Sequence, residues 1–320
     1  MRKTVLTVVL TVLVTLFAAL PAATQEPAQD PPANDEQDDV RDQEPIRVAV
    51  DAVNLYVTVN RKEDGSFVDR LTRGDFMIYE DGILQEITNF VPETDQPLTI
   101  GMAVDTSSSV RIKLDFEKEV AADFVLSVMR PTDRALLVEF DTGVTLLQDY
   151  TNDANDLVRE IDDLRAGGGT SLYDAITLVS EQKMLNLEGR KTIVVLSDGA
   201  DQTSSTTYDQ ALRACYEAEA TIFAISTTRL GADIDHEGDN ALKQLTENTG
   251  GKVYFPISTS EMATAFREIN QALRNQYSIT YTSKNPERDG TFRRIEVKIP
   301  GLHDAVIRHR RGYYADPRTP

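Results

Sequence analysis

The chain has 320 residues, a formal net charge of −19 and 41 % hydrophobic residues, enough to bury the core of one large domain or two modest ones. The acidic balance excludes binding to a nucleic-acid backbone, which needs a cationic excess to release counterions. Cys215 is the single cysteine, which rules out an intramolecular disulfide and a cysteine-based zinc site, and His236, His303 and His309 show no zinc-protease or paired-ligand spacing.

The chain opens with the basic "MRK", the apolar "TVLTVVLTVLVTLFAAL" and the small residues "PAAT". This pattern predicts a secretory signal peptide over residues 1–24, with cleavage between Ala22 and Gln25. The alternative is an uncleaved N-terminal anchor, which would be the sole membrane attachment, because no other apolar run approaches the ~20 residues that span a bilayer. The protein is therefore expected to be exported, to a periplasmic or extracellular location. Residues 25–45 carry eight acidic residues, one arginine and four prolines. With almost nothing apolar to bury, they predict a disordered linker.

From Ile46 the pattern has period two. Ile46, Val48 and Val50 alternate, then Val53, Leu55, Val57 and Val59 in the opposite phase, which predicts strand with a bulge or break near Asp51. In "FMIYEDGILQEITNF", Asp81-Gly82 between two strand-like runs is a hairpin signal. Residues 46–97 thus read as the first part of a β-module. Over 98–275, buried strands ("LTIGMAV", "RALLVEF", "KTIVVLS", "TIFAIS", "KVYFPI") alternate with helical patterns ("KLDFEKEVAADFVLSVM", "NDANDLVREIDDLR", "LYDAITLVSEQKML", "TYDQALRACYEAEA", "NALKQLTENTGG", "SEMATAFREINQALRNQ"), and "GVTLLQD" is a partner strand for "RALLVEF". Residues 276–320 return to period two in "YSITYT", "FRRIEVKI" and "AVIRHR", followed by a tail. The expected fold class is α/β: a doubly wound, mainly parallel, Rossmann-like sheet inserted in a small flanking β-module whose two parts come from the N- and C-terminal segments.

Open α/β sheets bind ligands beyond the carboxyl ends of their strands. Asp105-Thr106-Ser107-Ser108-Ser109 follows "IGMAV", Asp198-Gly199 follows "TIVVLS", and Thr170 ends "GGGT" just before a helical pattern. Two carboxylates and several hydroxyls are predicted at one sheet edge. These are hard oxygen donors, suited to Mg²⁺ and, less specifically, to Ca²⁺ or Mn²⁺. In the Asp-x-Ser-x-Ser spacing, alternate residues of a tight loop point the same way. Magnesium keeps waters, so one position can stay open to a carboxylate from elsewhere.

With those residues in place, the stretch 98–275 resembles a von Willebrand factor type A domain, the fold of integrin inserted domains. Its metal-ion-dependent adhesion site has Asp-x-Ser-x-Ser, a distant Thr and a distant Asp, matched here by Asp105, Ser107, Ser109, Thr170 and Asp198. The resemblance implies that Ser107, Ser109 and Thr170 touch the metal through their hydroxyls, and that Asp105 and Asp198 act directly or through water. It also implies that an acidic group of a protein partner completes the coordination. The flanks, "VNLYVTVNRKEDGSFVDRLTRGDFMIYEDGILQEITNF" and "NQYSITYTSKNPERDGTFRRIEVKI", are similar to a group of exported bacterial proteins built around this domain.

Other readings of the same residues are less economical. Asp105 and its serines taken alone also form a helix-cap pattern. The glycines at 167–169 lack the Gly-Lys-Ser/Thr ending of a nucleotide-binding loop. A serine nucleophile would need a base, and no histidine stands at a predicted strand end near this edge. "RHRRGYY" reads as a strand edge, and Cys215 as a small core residue. The expectation is a non-enzymatic, cation-dependent interaction module that binds neither nucleotide nor nucleic acid, with Ser108 free to be alanine. A structural cation with binding by the β-module is the alternative, and a hydrolase the remaining one.

Overall fold

The protein is described by a computed structural model over residues 52–92, 96–230 and 236–315. The predicted signal segment, the acidic linker and the strand residues 46–51 lie outside those residues. In chain order the elements are β1 (Ala52–Arg61), β2 (Met77–Glu80), β3 (Ile83–Leu84), β4 (Ile87–Val91), β5 (Leu98–Asp105), α1 (Leu114–Val128), β6 (Arg134–Phe140), β7 (Val144–Thr151), α2 (Ala154–Asp163), α3 (Leu172–Thr177), β8 (Arg190–Ser197), α4 (Tyr208–Ala218), β9 (Ala220–Ser226), α5 (His236–Thr249), β10 (Val253–Tyr254), α6 (Thr259–Arg274), β11 (Tyr277–Thr282), β12 (Phe292–Lys298), β13 (Ala305–Arg308) and β14 (Gly312–Tyr314).

The central sheet has the order β10-β9-β8-β5-β6-β7. All neighbours are parallel except β6 and β7, the expected pair, which run antiparallel. Every residue of β5 and of β8 is buried, as the unbroken apolar runs require of strands covered on both faces. Leu98, Ile100, Met102 and Val104 of β5 join one core with Phe124 of α1 and Phe266 of α6. Ala103 joins the opposite core with α3, α4 and α5. Local chemistry sets the helix starts: Asp153 accepts from the Asn155 N–H, Ser258 from the Glu261 N–H, and Thr207 with Gln210 forms a capping box.

Two predicted elements are shorter than their patterns. "LYDAITLVSEQKML" is α3 followed by a π-helical segment over Leu178–Met184. Val179 and Met184 of that segment press against β5 at Gly101, where an added Cβ would stand 2.6 Å from Val179 Cγ1. "KVYFPI" pairs only through Val253 and Tyr254, and Pro256 two residues on has no N–H to continue a ladder.

The flanking strands form two antiparallel sheets, β13-β1-β11-β4 and β14-β12-β2-β3. N- and C-terminal segments pair directly, Ala52 opposite Thr282 and Ile295 opposite Glu80. The alternating Val53, Leu55, Val57 and Val59 share one core with Ile78, Ile279, Tyr281 and Ile295. Asp81 and Gly82 make the predicted β2–β3 turn, both with positive φ. The run then splits between sheets, because β4 pairs with β11 rather than β3.

Candidate cation site

In the central sheet the chain runs outward from β5 through β6 to β7, then returns to β8 and runs the other way. Strand order therefore reverses between β5 and β8, and the crevice beyond their carboxyl ends is the position where such sheets bind ligands. Asp105 is the last residue of β5, and Asp198 follows the last residue of β8.

Four of the five predicted residues are joined there by hydrogen bonds. The Ser109 hydroxyl donates to Asp198 Oδ2 at 2.7 Å, and the Ser107 and Ser109 hydroxyl oxygens are 2.9 Å apart. The Ser107 N–H donates to Asp105 Oδ1 at 2.8 Å. Asp105 is fully buried and Ser107 almost so, whereas Ser109 is exposed at the outer side of the cluster. Thr170 is buried, and its hydroxyl is not part of this chain of bonds; its carbonyl accepts from the Gln202 and Thr203 N–H groups at 2.9 and 3.0 Å. The loop carrying Thr170 is tied to the first loop as well, since Gly167 N–H donates to the Thr106 carbonyl at 2.7 Å. The three separate sequence motifs thus form one hydrogen-bonded group of loops.

Ser108 has a part in this assembly. Its hydroxyl and N–H both donate to the Gly168 carbonyl, at 2.9 and 3.2 Å. It points away from the carboxylates, as expected, but it fastens the glycine loop, so alanine at 108 removes one of the two bonds. Gly168 itself has φ +76°, and an added Cβ would lie 2.7 Å from Asp141 Oδ2 and Thr142 Oγ1. Gly168 therefore meets a conformational and steric demand, and Gly169 a steric one, with Thr203 Cγ2 2.8 Å from its added Cβ.

A second ring of residues, absent from the sequence reading, holds the first. The Ser197 hydroxyl donates to Asp105 Oδ2 at 2.6 Å and accepts from Gly199 N–H at 2.9 Å. The Thr228 hydroxyl donates to the Asp198 carbonyl at 3.3 Å, and Ser226 donates to Asp239 Oδ1 at 2.6 Å. Lys113 Nζ donates to the Thr227 carbonyl at 2.7 Å. Glu117, on the first turn of α1, is 1 % exposed, and neither carboxyl oxygen has a hydrogen-bond partner among the described residues. A hydroxyl at the last position of an otherwise apolar strand was the available signal for Ser197. For Glu117 it was a carboxylate on the helical stripe of Leu114, Ala121 and Phe124.

The electrostatics follow from burial. Burial pushes the Asp105 carboxyl up to about 6; the bonds from Ser107 and Ser197 pull it down, and Asp198 pushes it further up. Burial likewise pushes Glu117 up to about 8, against the pull of Lys113 and, more weakly, of the nearby Thr227 hydroxyl, and with a further push from Asp105 and Asp198. Neither Asp105 nor Asp198 forms an ion pair with any described residue.

Residues 100–200 match the family model for the von Willebrand factor type A domain. That stretch runs from within β5 to just past Asp198 and contains all five candidate residues. No curated protein matches the chain. Among solved structures, the conserved hypothetical protein BatB from Bacteroides thetaiotaomicron is 17 % identical over 56 % of this chain and all of its own, with a TM-score of 0.46. A von Willebrand factor type A protein from Catenulispora acidiphila is 13 % identical over 82 % of this chain and 73 % of its own, with a TM-score of 0.46. Proximal thread matrix protein 1 from the mussel byssus, whose structure has a zinc-occupied MIDAS motif, is 17 % identical over 62 % of this chain and half of its own, with a TM-score of 0.50. Residues 100–200 thus match a von Willebrand factor type A domain, and the central sheet around them has the mainly parallel, doubly wound arrangement expected of that fold.

Proposed function

We propose that the domain is a cation-dependent, non-catalytic protein-interaction module of an exported protein. Asp105, Ser107, Ser109, Thr170 and Asp198 would hold a divalent cation, Mg²⁺ first and Ca²⁺ or Mn²⁺ less specifically, and an acidic side chain of a protein partner would complete its coordination. The observation that carries this reading is two carboxylates, Asp105 buried at the switch point and Asp198 beside it, bridged by Ser107 and Ser109 with no cationic side chain among the described residues paired to either. Uncompensated charge in such a place is costly. The donor set fits the group, being all oxygen and two-fold negative, with hydroxyl lone pairs that become free once their protons turn away. When bound, the cation supplies a positive centre that recognises a carboxylate.

The chain's own residues do the rest. Ser197 and the Ser107 N–H fix the two oxygens of Asp105. The exposed Ser109 and the rim of Asp198 set the face a partner would meet. The predicted signal segment supports export.

The test has two readouts. Mg²⁺ at ~100 times its dissociation constant should stabilise the wild type by ~2.7 kcal/mol, and EDTA should reverse the rise in melting temperature. Capture of a partner from a cell-envelope extract should need Mg²⁺ and disappear in Asp105→Ala. A wild type whose melting temperature ignores millimolar Mg²⁺, Ca²⁺ and Mn²⁺ would refute the cation site. Capture that persists in EDTA while the thermal shift is lost would transfer binding to the β-module.

A further inference from the structure

A cavity of about 260 Å³ lies between the end of the flanking β-module and the domain, bounded by β1 and β13 on one side and by β10 and α6 on the other. It is near the lower end of the ~300–1,000 Å³ usual for small-molecule sites, and junctions between structural units are a common place for them.

Its lining departs from the rest of the protein. In a chain of net charge −19, the cavity is lined by Arg61, Lys62, Lys252 and Arg308 against one carboxylate, Glu268. That carboxylate is already engaged by Lys252 Nζ at 2.7 Å. Arg308 is partly buried, and burial pulls its guanidinium below the usual range. It forms no ion pair with any described residue; its side-chain hydrogen bond goes to Asn60 Oδ1 at a long 3.3 Å. A guanidinium has five donors in a planar fork, so most of its capacity is open.

Thr58 lines the cavity and is 3 % exposed; its hydroxyl oxygen is shut off from the open space and has no hydrogen-bond partner among the described residues. Phe67 and Tyr254 add aromatic rings to the lining; Phe67 stacks on Tyr277, and Lys252 Nζ lies 4.2 Å from the Tyr254 ring centroid.

We propose that this cleft binds a small aromatic carboxylate, its carboxyl on Arg308 and its ring among the aromatic side chains of the lining. Carboxylates pair with guanidinium in a two-bond fork, which suits Arg308 better than the point charges of the lysines. The site is independent of the cation site.

Benzoate is the smallest member of the class and the probe. Isothermal titration and thermal denaturation of the full protein in EDTA, at constant ionic strength, should show saturable benzoate binding with a dissociation constant on the order of 1 mM, as expected for so small a ligand. Benzamide and benzamidine, which keep the ring and lose the anion, should bind at least ten-fold more weakly. Arg308→Gln should lose at least ten-fold in affinity, while Thr58→Val, which keeps the volume, should bind as the wild type does. Asp105→Asn should bind benzoate as the wild type does. Denaturation of the Arg308→Gln and Thr58→Val proteins without ligand shows that each still folds. Equal affinity for benzoate and benzamide, no saturable benzoate binding at 20-fold the stated constant, or undiminished binding by Arg308→Gln would overturn the proposal.

Discussion

Glu117→Gln should make the protein more stable in mildly alkaline solution and leave it almost unchanged in acid. The side chain is 1 % exposed, and no hydrogen bond satisfies either oxygen among the described residues. Burial lifts its carboxyl from 4.5 to about 8, Lys113 opposes the lift, and Asp105 and Asp198 add to it. At neutral pH the folded protein therefore holds a proton on Glu117 that the unfolded chain has released. Where the folded state binds more protons, stability falls as pH rises. The contribution is intact below 4.5 and is lost progressively up to about 8. At ~1.36 kcal/mol per pH unit this interval bounds the loss at roughly 4–5 kcal/mol. Glutamine keeps the shape and stays neutral at every pH, so the variant should match the wild type within ~1 kcal/mol at pH 5 and exceed it by ~2–4 kcal/mol at pH 8.5. Urea denaturation of both proteins across pH 5–8.5 in EDTA measures the difference. Asp105 titrates in both, so its contribution cancels. A difference that is flat with pH, or a variant less stable than wild type at pH 8.5, would show that Glu117 is not held neutral by burial.

Ser197→Ala removes the donor to Asp105 Oδ2 and the acceptor for Gly199 N–H; the Mg²⁺ concentration needed for half the thermal shift should rise ~10–100-fold, read by titrating Mg²⁺ against melting temperature. Gly199→Ala places a Cβ 2.4 Å from the Gly238 carbonyl oxygen at φ +79°, so the melting temperature should fall by ~5–10 °C. Glu80→Ala strips the acceptor from Tyr281, Tyr313 and Ser283, which donate to it at 2.7, 3.0 and 2.5 Å. Urea denaturation should show a loss of ~2–4 kcal/mol, with the cation-induced shift retained.

The parts of the fold legible in the sequence were those governed by one-dimensional pattern. Unbroken apolar runs gave the buried strands β5, β6, β8 and β9, and the alternation of Val53 to Val59 gave the inward face of β1. Four of the five candidate residues were legible because they stand at the ends of β5 and β8, where position along the chain fixes position in space, whereas Thr170 lies between α2 and α3. What escaped was set by contacts between distant segments. Nothing near Gly101 reveals that Val179 will press on it, so the π-helical turn was hidden inside an ordinary helical pattern. Glu117 sits on an apolar stripe where a carboxylate is normally a solvated neighbour of the core; only the neighbouring strands show that it has no route to water. The cluster around Arg308 and Thr58 joins residues some 250 positions apart in sequence, and no local pattern could have placed them together.

The topology also separates the two ends of the domain, and that separation can be tested. The chain enters β5 at Leu98 and leaves α6 at Arg274. Asp133 gathers these ends: it accepts from Leu98 N–H at 2.9 Å, Arg130 N–H at 3.0 Å and the Arg274 guanidinium at 2.5 Å, and it is 2 % exposed. The links to the β-module therefore leave from the amino end of β5, and the module's other ties agree, with Arg310 on Glu219 at the start of β9 and Arg311 N–H on the Asn248 carbonyl near the end of α5. Asp105 closes the far end of the same strand, ~23 Å away at ~3.3 Å per residue. Among the described residues, the inserted domain thus carries its candidate cation site at the end of β5 away from these ties. Asp133→Ala leaves a buried guanidinium without its carboxylate and should cost ~3–5 kcal/mol in urea denaturation. It should not change the affinity for Mg²⁺, since no partner of Asp133 touches the site. A matching loss of both, measured on the folded fraction, would mean that the two ends are coupled through β5 and that the domain does not act as a rigid carrier.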